Sequence, residues 1–116
     1  MKEDRVVEAF AAWLESESWT LVAPADRWTD IEAVRGPERL ICEAKGRTSD
    51  PGLDCDTAYG QLLRRMTDPA PGIRYGLVVP SSALKAALRV PEWVRSLVRV
   101  TVYEVTEDGS VVRHAG

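Results

Sequence analysis

The 116-residue chain is 45% hydrophobic and 28% charged, an ordinary globular composition that excludes a disordered chain. At this length it is expected to form one domain, residues 1–116, that buries about two thirds of the surface its unfolded form exposes. A net charge of −3 argues against strong non-specific binding to nucleic acid, and with no apolar run near ~18 residues and no signal-like amino terminus, a cytoplasmic protein with no membrane contact is expected.

In chain order, Val6, Phe10, Trp13 and Leu14 recur at helical spacing, which predicts an amphipathic helix from about Glu3 to Glu17. A strand is expected at about Trp19 to Ala23. The segment from Asp30 to Lys45 reads as a hairpin with arms 30–35 and 39–45, joined at Gly36-Pro37, since Gly and Pro are the strongest turn formers. Residues 47–56, rich in Gly, Pro, Ser and Asp, read as a loop, and the span 46–55 is the expected mobile piece. Asp56 is expected to cap a helix that runs to about Thr67, with Tyr59, Leu62, Leu63 and Met66 on its apolar stripe.

Tyr75-Gly-Leu-Val-Val79 is an apolar run ended by Pro80, the pattern of a strand buried on both faces. Ser81 or Ser82 is expected to cap a helix of about Ala83 to Leu88, and Pro91 to open a turn through Trp93 and Leu97. Val98, Val100 and Val102 alternate with Arg99, Thr101 and Tyr103, predicting a strand with one apolar face that Glu107-Asp-Gly109 turns back into Val111-Val112. This order describes an α/β fold, a mixed central β-sheet flanked by α-helices on both faces, because strand-helix-strand crossovers normally imply parallel neighbours.

The hairpin makes the sharpest statement about function. With the turn centred between Gly36 and Pro37, residues whose numbers sum to 73 face each other, so Asp30 lies opposite Glu43, with β-carbons roughly 5 Å apart. Side chains alternate along a strand, which puts Glu43 and Lys45 on one face with Ile41, and Leu40, Cys42 and Ala44 on the other. Two carboxylates and an ammonium then share one patch. A turn one residue longer or shorter would place Asp30 opposite Ala44 or Cys42 and dissolve it.

The order of elements and the residues Asp30, Glu43, Ala44 and Lys45 together resemble the PD-(D/E)xK nuclease superfamily, whose restriction-endonuclease-like fold has an αβββαβ core presenting Asp and then Glu-x-Lys from a hairpin. The layout is also distantly similar to the small archaeal Holliday-junction resolvases, in the Asp-to-Glu spacing and in Gly60-Gln61-Leu62 followed by Tyr75 to Val79. Those resolvases are basic and this chain is not. The resemblance implies a Mg²⁺- or Mn²⁺-dependent endonuclease acting on DNA in repair, recombination or defence, as a homodimer or within a larger nuclease assembly. It also implies that the backbone carbonyl of Ala44 joins Asp30 and Glu43 as a metal ligand.

Carboxylate-bound Mg²⁺ suits this chemistry, since phosphodiester hydrolysis needs charge neutralised on the phosphoryl group and hydroxide supplied at neutral pH. Lys45 would orient or help deprotonate the attacking water. Glu8 and Gln61 are accessory candidates, although each faces away from the apolar stripe of its helix. Taken alone, Glu-x-Lys in a strand is a solvated face with a cross-strand ion pair. The alternative function is therefore a catalytically inactive module of the same fold that binds nucleic acid or a protein partner.

Residues 1–60 carry seven basic and thirteen acidic side chains, and residues 61–116 eight and five. Arg64, Arg65, Arg74, Lys85, Arg89, Arg95 and Arg99 would form either a positive rim beside an acidic centre or an ordinary helix surface. Glu32 reads as an outward-facing strand residue, Trp28 as part of the core, and His114 as a residue without a role. Cys42 and Cys55 have no zinc spacing, and no disulfide between them is expected.

Overall fold

The computed structural model describes residues 1–115. Helix α1 (Glu3–Ser16) leads into strand β1 (Thr20–Val22), followed by β2 (Ile31–Arg35), β3 (Glu38–Ala44) and helix α2 (Pro51–Arg65). Strand β4 (Ile73–Pro80) is followed by a 3₁₀ turn (Ser81–Ala83), helices α3 (Leu84–Ala87) and α4 (Glu92–Leu97), and strands β5 (Val100–Val105) and β6 (Val111–His114). The six strands lie side by side in chain order. Strands β3, β4 and β5 are parallel and the remaining pairs antiparallel, which is the mixed α/β, restriction-endonuclease-like arrangement expected.

Each parallel step needs a crossover that covers one face, and the helices divide accordingly. On one side, Val6, Phe10 and Leu14 of α1 pack on Ile31, Ala33, Leu40, Cys42, Ala44, Val78, Tyr103 and Val105. On the other, Cys55, Ala58 and Leu62 of α2, with Ala83 and Ala87, pack on Tyr75, Leu77, Val79, Val100 and Val102. Strand β4 is therefore buried on both faces, as its apolar run requires. Gly76 lies where a side chain would not fit, because an added Cβ would come within 2.7 Å of Cys42 Sγ and 3.1 Å of the Tyr103 ring. Cys42 and Cys55 are free thiols on opposite faces of the sheet.

Several local expectations are corrected. Helix α2 begins at Pro51, inside the expected loop, because Asp50 rather than Asp56 is its cap: Asp50 Oδ1 accepts the Leu53 N–H at 3.0 Å, and Pro is favoured in a first turn. That shortens the loop and gives α2 a buried stripe of Cys55, Ala58 and Leu62, while Leu63 is exposed. Neither Ser81 nor Ser82 caps a helix; the Ser81 hydroxyl instead donates to Glu104 Oε2 at 2.6 Å. Residues 92–97 form a helix in which Arg95 is buried, donating to the carbonyls of Val90 and Ala115, and Trp93 and Leu97 point outward.

Strand β5 has two covered faces, since Val100 and Val102 join the α2 side, and Tyr103 and Val105 the α1 side. Trp28 is exposed, with the Arg27 guanidinium 4.6 Å from its ring centroid. Glu32 is buried, accepting from the Ala25 N–H at 3.2 Å and pairing with Arg39. His114 lies in β6 with Nε2 3.0 Å from Glu104 Oε1.

Candidate active site

The central hairpin has the two-residue turn expected of it. Gly36 takes the left-handed conformation (φ 56°) that glycine adopts without a Cβ penalty, and Arg35 pairs with Glu38. Every pair down to Ile31 and Cys42 sums to 73, and the same register continued by one residue sets Asp30 opposite Glu43. There the chain bends. The Asp30 N–H still reaches Cys42 O at 3.2 Å, and Asp30 Oδ2 accepts the Ala44 N–H at 2.8 Å, a bond that fixes the carboxylate at the end of β3.

The approach to Asp30 is shaped by Asp26, whose Oδ1 accepts the Trp28 N–H at 2.7 Å and whose carbonyl accepts the Thr29 N–H at 3.0 Å. An aspartate that bonds the backbone two residues on builds such turns. On the other side of β3, the Lys45 N–H donates to Val78 O at 2.9 Å. The peptide groups of Ala44 face β2, since its N–H does, and within one strand residue the N–H and C=O point the same way. The Ala44 carbonyl is thus on the Asp30 side. The whole patch lies at the carboxyl end of parallel strands, where ligands of open α/β sheets bind.

Glu43 is the buried member, its side chain 3% exposed. Burial raises its pKa to about 7, Asp30 reinforces the rise by charge and by a shared hydrogen bond, and Arg65 and Lys45 oppose it. Two carboxylates in such contact repel unless a proton or a cation lies between them. Glu43 Oε1 has no hydrogen-bond partner among the described residues, although Arg65 Nη2 stands 3.8 Å away.

Arg65 Nε, buried and without a hydrogen bond, also stands 3.7 Å from Asp26 Oδ2. Residues 54, 61 and 65 lie along one face of α2, at helical spacings of seven and four. Asp54 Oδ2 and Gln61 Oε1 share the condition of Arg65 Nε, buried with no hydrogen bond. A line of unsatisfied buried polar atoms is unusual, because such atoms normally find partners. Here they lie on the helix that supplies Glu43 with its cation.

Gly46, directly after Lys45, abuts the start of α1: a Cβ there would fall 2.3 Å from Glu3 N. The Arg47 N–H donates to Met1 O at 2.7 Å, which ties the same two segments together. Glu3 is thereby brought under the influence of the patch, its pKa raised by burial and by Asp30 and lowered by Lys45. Glu8 is exposed on α1.

The sequence reading missed Glu3, Asp26 and Asp54, and named Arg65 only as part of a basic rim. The readable signal for Arg65 is its place four residues after Gln61 on the helix that follows Glu-x-Lys.

A cation would find Asp30 and Glu43 as anionic ligands, with the carbonyl of Ala44 as a neutral oxygen. This donor set suits hard cations such as Mg²⁺ and Mn²⁺. Among the described residues, no group of three or more His, Cys, Asp or Glu side chains is placed to hold a metal. The buried Glu43 carboxylate, one oxygen of which has no hydrogen bond among the described residues, is the feature that fits such an ion.

No family model matches the sequence, and no curated protein does. Among the described residues no helix is long and apolar enough to cross a membrane. Solved structures share the fold, two of which span nearly the whole chain. One is an XisH family protein from Nostoc punctiforme, 21% identical, with a TM-score of 0.65 over 93% of this chain and 96% of that one. The other is an fdxN element excision controlling factor protein from Anabaena variabilis, 18% identical, with a TM-score of 0.67 over 94% of this chain and 96% of that one. At these identities the likeness is one of fold, and the chain has the architecture of these two proteins along nearly its whole length.

Proposed function

We propose that this chain is a metal-dependent phosphodiesterase of the PD-(D/E)xK type that hydrolyses DNA, with Asp30, Glu43 and the Ala44 carbonyl holding Mg²⁺ or Mn²⁺. The observation that carries the reading is the contact of two carboxylates at the carboxyl end of β3, one of them buried with an unpartnered oxygen. A bound divalent ion supplies charge neutralisation on the phosphoryl group and hydroxide at neutral pH. Asp30 is oriented for its role by the Ala44 N–H. Lys45 stands two residues beyond Glu43, and its ammonium orients the attacking water and offsets charge on the phosphate.

One neighbour's name supports this substrate class: it is an fdxN element excision controlling factor protein, and we infer a role in DNA rearrangement by analogy of fold. Incubation with supercoiled plasmid, single-stranded and branched DNA in Mn²⁺ tests the reading. Cleavage lost in Asp30→Ala and in Glu43→Ala is expected. Cleavage that persists in both variants, or none on any substrate, contradicts it.

One observation favours a second reading, an inactive module that binds nucleic acid or protein. Arg65 already places a cation beside Glu43, and a fixed guanidinium can stabilise a carboxylate that no longer binds metal. Calorimetric titration with Mn²⁺ separates the two: metal binding abolished by Asp30→Asn supports the enzyme, and the absence of binding supports the module.

A further inference from the structure

A cavity of about 310 Å³ opens on the face of the sheet opposite the carboxylate patch and toward the other end of β3 and β4. Its walls combine aromatic rings and guanidinium groups. Trp13, Trp19 and Tyr103 line it, with the Trp13 and Tyr103 ring centroids 5.6 Å apart. Tyr103 reaches this position because Gly76 leaves the sheet surface beneath it open.

One wall is fixed. The Arg35 guanidinium stacks 4.4 Å over the Trp19 ring, donates to the carbonyl of Glu17 at 3.0 Å and lies 3.5 Å from Glu38 Oε1. The charges opposite are uncommitted. Arg74 pairs with Leu40 across the sheet, and Arg113 with Tyr103, so both side chains share the α1 face with those residues. Both are exposed, and neither pairs with a carboxylate among the described residues. Arg74 and Arg113 line the cavity together with Tyr103.

Two guanidiniums beside a phenol, neither with a carboxylate partner among the described residues, suit a phosphate group, since arginine presents paired donors that match phosphate oxygens. The indole and phenol rings offer surface to a planar base, as aromatic side chains do in nucleic-acid recognition. Glu17, which also lines the cavity and has no ion pair among the described residues, is an acceptor for a ribose hydroxyl or an exocyclic amine. The volume is at the small end of ligand pockets, roughly 300 to 1,000 Å³. That matches one nucleotide and not a dinucleotide cofactor.

We propose that this cavity binds a nucleoside monophosphate, with Arg74 and Arg113 on the phosphate and the base against the Trp13 and Trp19 wall. The ligand is either a free nucleotide or the 5′-phosphorylated end of a strand, which share this chemistry. The site is separate from the carboxylate patch and does not depend on that patch being catalytic.

Isothermal titration of the intact protein with AMP, adenosine and inorganic phosphate tests it, alongside 5′-phosphorylated and 5′-hydroxyl oligonucleotides. AMP is expected to bind saturably, with adenosine and phosphate each at least about tenfold weaker. Arg74→Ala and Arg113→Ala should each weaken AMP about tenfold, the scale of losing a hydrogen bond to a charged group. Both variants should keep the far-ultraviolet circular dichroism of the parent, and Arg64→Ala on the other face should bind AMP as the parent does. A phosphorylated oligonucleotide that binds with the same arginine dependence identifies a strand end as the ligand, and one that fails while AMP binds identifies the free nucleotide. No saturable AMP binding, AMP affinity unchanged in both arginine variants, or phosphate alone binding as tightly as AMP overturns the proposal.

Discussion

The carboxylates of Asp30 and Glu43 meet across the end of the β2–β3 hairpin, close enough to share a hydrogen bond. Asp30 stands exposed at the bend and Glu43 is buried beneath α2. The protonation of this pair, its arginine partner and its backbone support each make a measurable prediction.

Because burial and Asp30 raise Glu43 from 4.5 to about 7, the folded protein binds a proton there more tightly than the unfolded chain. This contribution favours folding at low pH and is lost as pH rises from about 4.5 through about 7. In the metal-free protein, stability measured by urea unfolding should therefore fall across that window relative to Glu43→Gln, whose curve lacks the slope. Parallel curves for the two proteins would contradict the assignment. If a divalent ion binds here, its uptake at pH 6 should release protons, visible as a buffer-dependent calorimetric enthalpy.

Arg65 faces Glu43 and Asp26 from α2 at 3.8 and 3.7 Å. Breaking a buried pair by removing one partner leaves an uncompensated charge. Arg65→Met should cost about 2 kcal/mol at pH 8, below the 3–5 kcal/mol typical of close buried pairs because these separations are long. The cost should shrink by pH 5, where Glu43 is protonated. Equal losses at both pH values would show that Arg65 acts by packing alone.

Gly46 lets the end of β3 lie against the first turn of α1, with backbone atoms of Glu3 at 2.3 and 2.8 Å from where a Cβ would stand. Neither neighbour can yield without shifting α1 or the Ala44-Lys45 backbone. Gly46→Ala should destabilise by about 1–3 kcal/mol, the range for overpacking, and weaken metal binding more than an equally destabilising core change such as Leu62→Val. A variant as stable as the parent would show that the approach is looser than described.

The hairpin was legible because its information is local: a Gly-Pro turn fixes the register, and the register decides which charges meet. The surroundings of Glu43 were less so. Apolar periodicity locates the buried stripe of a helix from its hydrophobic residues, so Gln61 and Arg65 could be named as candidates, but their burial in line with Asp54 carried no signal until the sheet beneath was known. Starting α2 at Asp56 compounded this by leaving Asp54 in a loop, although Asp50-Pro51 is a readable helix start. Glu32 shows the limit from the other side: read as outward-facing, it is buried because Arg39 pairs with it. That diagonal contact was implicit in the register, since Arg39 is two residues from Ile41, the partner of Glu32.

The central claim is that Asp30 and Glu43 together bind a divalent metal ion. Anomalous diffraction from crystals grown in Mn²⁺ tests it most directly. The account predicts a manganese peak between the two carboxylates, in contact with the Ala44 carbonyl and absent from Asp30→Asn crystals. No peak at that position in the parent protein, or one that persists unchanged in Asp30→Asn, would contradict it.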